Sequence, residues 1–367
     1  MNTERKLATV QVIEKLSPIE SADKIEVCHV LGWECVVKKG EFKVGDKVAY
    51  VECDAVMPDV PEFEFLRDRK FRVRTIKLRG QISQGLVLPV NKEISKMSVG
   101  TDVTDLLGIK LYQTPTERAE RARVEQSRSK LKKFMMRYSW FRRLFLSRSK
   151  KSGWPFWIPK TDEERIQNFP HVIEQFKDEI VYVTEKIDYQ SVTFTGKMVP
   201  KYPWLGKYSP LKYQFVVCSR NLTTNDKSSL YWKIAEKYNI EKILKENPNL
   251  TIQGEQGDTK VQGNKYGITE PTLWVFNIID HERNYHYDWV EMVKFCDAYG
   301  LTTVPLLAHT RLYNLAIDVK QMIEYSKGES IIAPIPREGV VVRSIVNGQK
   351  RLSFKCINPG FLLKYSD

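Results

Sequence analysis

Lys186 stands two residues before Asp188 in the strand-like run Tyr182-Val183-Thr184-Glu185-Lys186-Ile187-Asp188-Tyr189. Side chains two apart on a strand share a face. A lysine at the mouth of a sheet, with a carboxylate beside it, can be held as a neutral amine. Such an amine can attack a phosphorus atom and form a covalent lysyl-nucleotide. An ordinary lysine, with a pKa of about 10.4, is protonated and inert at neutral pH. The chemistry therefore needs desolvation or a neighbouring cation that disfavours the ammonium. Taken alone, Lys-x-Asp is a weak signal that far more often describes a solvated ion pair on an edge strand. What distinguishes this one is the series that follows it: Ser219-Arg220-Asn221, then Gln253-Gly254-Glu255 and Trp274-Val275-Phe276-Asn277. Arg337-Glu338-Gly339-Val340-Val341-Val342-Arg343 and Ser353-Phe354-Lys355 complete it.

These residues need a frame, and residues 161–367 read as α+β. Strand-like runs at Ile180–Thr184, Val192–Phe194, Phe215–Cys218, Leu250–Gln253, Thr272–Ile279, Gly339–Arg343 and Leu352–Lys355 alternate with helical stretches. The helices are expected near Asp162–Phe169, Tyr231–Leu244, Tyr287–Tyr299 and Leu315–Lys327. Each candidate group lies on or beside a strand, and the glycines flanking Glu255 let the backbone approach a ligand.

Residues 1–108 form a separate expectation. Thr9–Ile13, Cys35–Val37, Lys47–Val51, Phe71–Ile76 and Gly85–Leu88 read as short strands, which predicts a small β-barrel of the OB type. Arg72, Arg74, Lys77 and Arg79 would give it a basic face for single strands or duplex ends. Residues 109–160 read as a connector. Between Thr114 and Ser152 stand thirteen Lys or Arg against Glu117, Glu120 and Glu125, most of the chain's net charge of +13. A long basic helix is expected there, with Leu131, Phe134, Met135, Tyr138 and Phe141 marking one apolar face. It serves either as a strut or as a salt-sensitive ridge that tracks phosphates.

Composition narrows the class. With 367 residues, 42% hydrophobic and 28% charged, the chain suits two globular domains. No apolar run approaches a membrane span, and the N-terminus lacks a signal-peptide pattern. Six cysteines without a Cys-x-x-Cys pair predict reduced core thiols in a cytoplasmic protein, with no disulfide frame and no zinc site. The pI near 9.2 points to a polyanionic partner, most simply nucleic acid.

The ordered motif set resembles the covalent nucleotidyltransferases, the superfamily of polynucleotide ligases and mRNA capping enzymes. Ile158-Pro159-Lys160-Thr161-Asp162-Glu163-Glu164-Arg165-Ile166-Gln167-Asn168 resembles a signature of its RNA ligases. The barrel precedes the transferase region, and only twelve residues follow Lys355. That order is similar to the ATP-dependent RNA ligases with an N-terminal OB-fold, the branch typified by the Deinococcus and Naegleria enzymes. The resemblance implies ATP with Mg²⁺ or Mn²⁺ as cofactors. It implies RNA as partner, nicked duplex or an RNA/DNA hybrid included, and a monomer.

Carried over residue by residue, the resemblance makes Lys186 the nucleophile that accepts AMP. Asp188, Glu255 and Glu338 would hold a hydrated divalent metal through waters, as suits Mg²⁺. Phe276 would stack on adenine, Lys355 would meet the α-phosphate and Arg165 the ATP phosphates. Glu185 and Arg220 would complete the nucleotide pocket, with Asn221 beside the ribose and strand terminus. Two positions depart from the pattern. Tyr189 replaces the usual glycine of Lys-x-Asp-Gly, and Ser353 stands where many relatives carry a second lysine, with Lys350 or Arg351 as partial substitutes. Two other readings stay open: a capping guanylyltransferase, and a non-catalytic nucleic-acid-binding protein with a decayed transferase domain.

Overall fold

A computed structural model describes residues 5–20, 22–114, 118, 153–344 and 352–365. The expected basic helix at 119–152, and the substitutes Lys350 and Arg351, lie outside those residues. Two compact units result: Met1–Lys150 with Gln167–Phe169 and Tyr365–Asp367, and Lys151–Ile166 with Pro170–Lys364.

The first unit is built of short antiparallel strands. Lys47–Val51 pairs with both Ala8–Val12 and Leu86–Pro89, and Ala22–Val30 pairs with both Lys15–Ile19 and Trp33–Lys38. Alternation turns Ala49 and Val51 to one apolar cluster and Val48 and Tyr50 to another, so a single strand serves two parts of the core. Phe71–Ile76 is not one strand. Phe71 takes the left-handed conformation, with φ 58°, and regular pairing begins at Thr75. The basic face changes accordingly. Arg72 is held by Asp54 at 2.8 Å and lies 3.8 Å over the Tyr112 ring, so it knits the unit together.

The second unit carries two antiparallel sheets. One orders Leu306–Arg311, Ile180–Lys186, Gly339–Ser344 and Ser353–Ile357. The other orders Leu211–Cys218, Gln190–Pro200, Leu250–Gly257, Thr272–Asp280 and Tyr285–His286. Behind the second sheet, helices Leu230–Lys237, Ile240–Glu246 and Trp289–Tyr299 close an apolar core around Phe194, Ile252 and Val275. The first two divide the expected Tyr231–Leu244 helix because Asn239 takes a left-handed turn, φ 53°. Asp288 forms a capping box with Glu291 and starts the third two residues later than expected.

No helix forms over Asp162–Phe169 beyond the short 3-10 turn Ile166–Asn168. The Lys355 N–H donates to the Glu164 carbonyl, and Arg165 bridges in parallel to Lys355, so this stretch is held against a sheet edge. Residues 153–160, read above as connector, fold with the second unit: Trp154 and Ile158 pack on Cys218. Among the described residues no helix is long and apolar enough to cross a membrane, and all six cysteines are free and buried.

Candidate active site

Register fixes which groups meet. Lys186 pairs with Gly339, Thr184 with Val341, and Val341 with Lys355. Antiparallel partners share a face, so Thr184, Lys186 and Lys355 project from the same side of the first sheet. Gly339 lies between the two lysine-bearing strands at φ +156°, and a Cβ there would stand 2.2 Å from the Cys356 carbonyl oxygen. Only glycine lets the strands close at this point. Glu185 falls on the opposite face with Val340 and Cys356, and its carboxylate accepts the Ile331 N–H at 2.8 Å. Its side chain therefore braces the loop before Glu338, and only its backbone adjoins the nucleophile.

Glu338 is anchored from both sides. Arg337 donates to the carbonyls of Tyr325, Ser326 and Lys327 at the end of helix Val319–Ser326, and the Asn358 N–H donates to the Glu338 carbonyl. The Glu338 carboxylate, 8% exposed as a residue, then accepts the Lys186 ammonium at 2.8 Å. Glu255 comes from the second sheet, opposite Ser191 and Trp274. It accepts the Ser191 hydroxyl at 3.1 Å and the Tyr189 N–H at 3.2 Å. Asp188 lies just past the strand end. Its carboxylate pairs with Lys265, and its backbone N–H donates to the Tyr266 hydroxyl.

The charge balance differs from the expectation of a neutral amine. Burial pushes the Lys186 ammonium down, but Glu338, Glu255 and Asp188 together hold its pKa above the ordinary lysine value. Burial pushes the Glu255 carboxyl up to about 7, against the pull of Lys186. Glu338 is raised for the same first reason. Two ammonium groups, Lys186 and Lys265, thus stand among three acids, and the residues fit a further cation. Their oxygen donors suit a hard, hydrated ion such as Mg²⁺ or Mn²⁺. Among the described residues, no three His, Cys, Asp or Glu are gathered tightly enough to ligate an ion directly.

Lys355 shows the opposite tendency. Burial lowers its pKa to about 8, Asp162 opposes, and Arg165, Lys186 and Arg220 add like charge. Arg165 is 8% exposed, while Arg220 is held at the rim by Asp162 at 2.8 Å. Four cations converging on one face form a site for phosphate. Phe276 is the extra residue of a β-bulge: Gln253 pairs with Asn277 but Gly254 with Val275. The bulge turns its ring off the apolar core of the second sheet. There it is half-buried, with the Arg343 guanidinium 5.8 Å from the ring centre.

Both departures from the family pattern are accommodated. Tyr189 keeps an ordinary backbone, absent from the positive-φ residues, and its buried ring stacks on Trp274 at 5.9 Å and 9°. Space for that ring comes from Gly257, where a Cβ would lie 2.7 Å from Tyr189 Cε2. Ser353 donates to Glu163 at 2.6 Å, and Glu163 in turn accepts Arg343 at 2.8 Å. The usual lysine is thus replaced by a partly buried three-residue network in which Arg343 is the buried member. Lys265, Tyr266 and Glu163 are parts of the site that sequence reasoning missed. Lys265-Tyr266 sits in a Gly-Asn-rich turn with no motif, and Glu163 offered only its place beside Arg165.

Comparison with known proteins agrees with this arrangement. A family model for an OB-fold domain matches residues 7–90, and the RNA ligase model matches residues 179–357. No curated protein sequence matches. Among solved structures, Naegleria gruberi RNA ligase with PPi is 29% identical, with a TM-score of 0.78, covering 99% of this chain and 100% of that one. A mutant of that enzyme with ATP and Mn is 28% identical, at 0.78, over 99% and 100%. Another mutant, with AMP and Mn, gives 29%, 0.78, 99% and 100%. The ligase model thus lies over the assembled motifs, with the OB-fold model N-terminal to it, and the chain is similar over its length to Naegleria gruberi RNA ligase.

Proposed function

We propose that this protein is an ATP-dependent RNA ligase that joins 3′-hydroxyl to 5′-phosphate ends through a lysyl-AMP at Lys186. The observation that carries the reading is the placing of Lys186 between Glu338 and Glu255, on the face that also bears Lys355.

Lys186 Nζ, once deprotonated, attacks the α-phosphorus of ATP; the bond to the β-phosphate oxygen breaks and pyrophosphate leaves. Glu338 Oε2, 2.8 Å away, is the nearest acceptor for the ammonium proton, and burial already favours its protonated form. A divalent cation held through waters by Asp188, Glu255 and Glu338 would offset their charge and so favour the free amine. Lys355 and Arg165 bind the phosphates. With a pKa of about 8, Lys355 is largely an ammonium at neutral pH, and its charge faces the phosphate oxygens on which negative charge is carried. Phe276 stacks on the adenine, and its neighbours' hydrogen bonds must supply base choice, because stacking alone tolerates any base. AMP then passes to an RNA 5′-phosphate, and a 3′-hydroxyl displaces it to seal the strand.

Joining of broken RNA, as repair requires, is the role we assign, with the chain acting as a monomer in the cytoplasm. A nick in duplex RNA or in an RNA/DNA hybrid is an admissible substrate. Labelling with [α-³²P]ATP tests the nucleophile: the protein should acquire label that survives alkali and is released by acid, as a P–N bond requires, and Lys186→Arg should acquire none, since arginine stays protonated. Normal labelling of the Lys186→Arg variant would remove Lys186 from the mechanism, and labelling by GTP in preference to ATP would favour a capping-type transferase.

A further inference from the structure

The hairpin joining Gln190–Pro200 to Leu211–Cys218 carries large apolar side chains that stand out in solvent. Trp204 is 78% exposed, Tyr208 81% and Leu205 45%. The tip is nevertheless ordered. Ser209, buried, accepts the Tyr202 N–H at 2.7 Å, and the Lys201 N–H donates to the Pro210 carbonyl at 2.8 Å. Tyr202 and Trp204 lie 5.2 Å apart, while Lys201 and Lys207 sit over the Tyr202 and Tyr208 rings at 5.4 and 5.2 Å. From Tyr189 to Asn225 the chain contains four lysines and one arginine but no Asp or Glu. Exposed aromatic faces interleaved with lysines match the two needs of a single nucleic-acid strand, stacking for bases and charge for phosphates.

The tip stands at the far end of a strand that begins beside Glu255. Ser191 pairs with Glu255, so alternation places Ser191, Thr193, Thr195 and Lys197 on the face that bears Glu255. Along that face Thr195 accepts the Trp157 indole N–H at 3.3 Å. Lys197 follows, 3.9 Å over the Trp157 ring and 5.0 Å over Phe156, itself 72% exposed. Thr193 and Thr195 are buried on that face, and exposure begins at Lys197, which lies on two rings and leads to the tip. Asp280 and Glu282 stand at the neighbouring strand end, where Asp280 is engaged by Arg283 and by its own turn.

We propose that this face, from Lys197 and Trp157 to the Trp204–Tyr208 tip, is a docking track for single-stranded RNA running away from the site of sealing. The assignment rests on the RNA ligase reading. A strand of this length rises about 3.3 Å per residue, so the tip stands roughly 30 Å from Gln190. At about 3.4 Å per stacked nucleotide the tip lies roughly nine nucleotides from Gln190. Short substrates end before they reach it.

The test uses the full chain with Trp204→Ala, Tyr208→Ala and Lys201→Glu/Lys207→Glu, all at exposed positions. Fluorescence anisotropy with 5′-phosphorylated single-stranded RNAs of 5 and 24 nucleotides reads binding, and [α-³²P]ATP labelling reads the first chemical step. Each aromatic variant should bind the 24-mer about tenfold more weakly and the 5-mer as before, with labelling unchanged. The charge variant should flatten the salt dependence for the 24-mer alone. Unchanged 24-mer binding in all three variants overturns the track, as does equal loss for both lengths. A tip that instead binds phosphatidylserine vesicles, lost in Trp204→Ala while RNA binding is kept, would make it a membrane contact. A wild-type protein that takes no label would sink the ligase reading, while RNA binding by the three variants would still decide the track.

Discussion

Three acids around one lysine set the behaviour of the reacting group. Because Glu255 titrates near 7, it is partly protonated at neutral pH and fully carboxylate only above. A cation bound through its oxygens competes with that proton, so affinity for metal should fall as pH drops through about 7 and level off at higher pH. The half-saturating Mg²⁺ for lysine adenylation is expected to rise by about tenfold for each pH unit below that point. Thermal melting gives a readout independent of chemistry: the rise in Tm on adding Mg²⁺ should be larger at pH 8 than at pH 6. In Glu255→Gln, which cannot titrate, the difference between the two pH values should shrink. An equal Mg²⁺-induced shift at both pH values in the wild type would mean that Glu255 is not coupled to the cation.

Strand pairing is what brings these side chains together, and it explains how far the sequence could be read. Lys186, Glu255, Glu338 and Lys355 were legible through the resemblance of their motifs to those of ligases, and each lies in a strand or at its end. Lys265 reaches Asp188 from a turn, and turns carry no period. Phe276 lay in a recognisable strand, yet its direction depends on a one-residue bulge that no pattern announces. The stretch around Arg165 carries an N-cap aspartate and helical spacing, but backbone bonding to Lys355 overrides that local preference. The same stretch yields a stability prediction. Arg343 is 3% exposed at its side chain and its carboxylate partner is Glu163. Removing that partner leaves a buried guanidinium short of its counter-charge, which costs on the order of 3–5 kcal/mol. Glu163→Ala should therefore lower Tm by several degrees, whereas Ser353→Ala, losing one hydroxyl donor, should cost about 1 kcal/mol. Similar melting of both variants would show that the network is not organised by charge.

At the scale of the molecule, every residue assigned to chemistry lies in the second unit, and the first unit is a barrel with its own two apolar clusters. Transfer of AMP to Lys186 uses only a small nucleotide, so it should not need the barrel. Sealing requires two polynucleotide ends to be held at once, and the barrel fold commonly binds such strands. Deleting residues 1–108 is expected to leave [α-³²P]AMP labelling of Lys186 within a few-fold of the full chain, while joining of a nicked duplex falls by two orders of magnitude or more. One structural consequence must be separated from that loss. Trp33 donates to Asn168 at 2.7 Å and Asn168 donates to Glu52 at 2.8 Å, so the truncated chain loses the partners of Asn168. Trp33→Phe in the full chain removes one of these bonds while keeping the barrel, and serves as the control. If truncation alone abolishes sealing while both proteins still take label, the barrel acts on the polynucleotide steps. If truncation abolishes labelling but spares sealing of an RNA already adenylated at its 5′ end, the division of labour runs the other way.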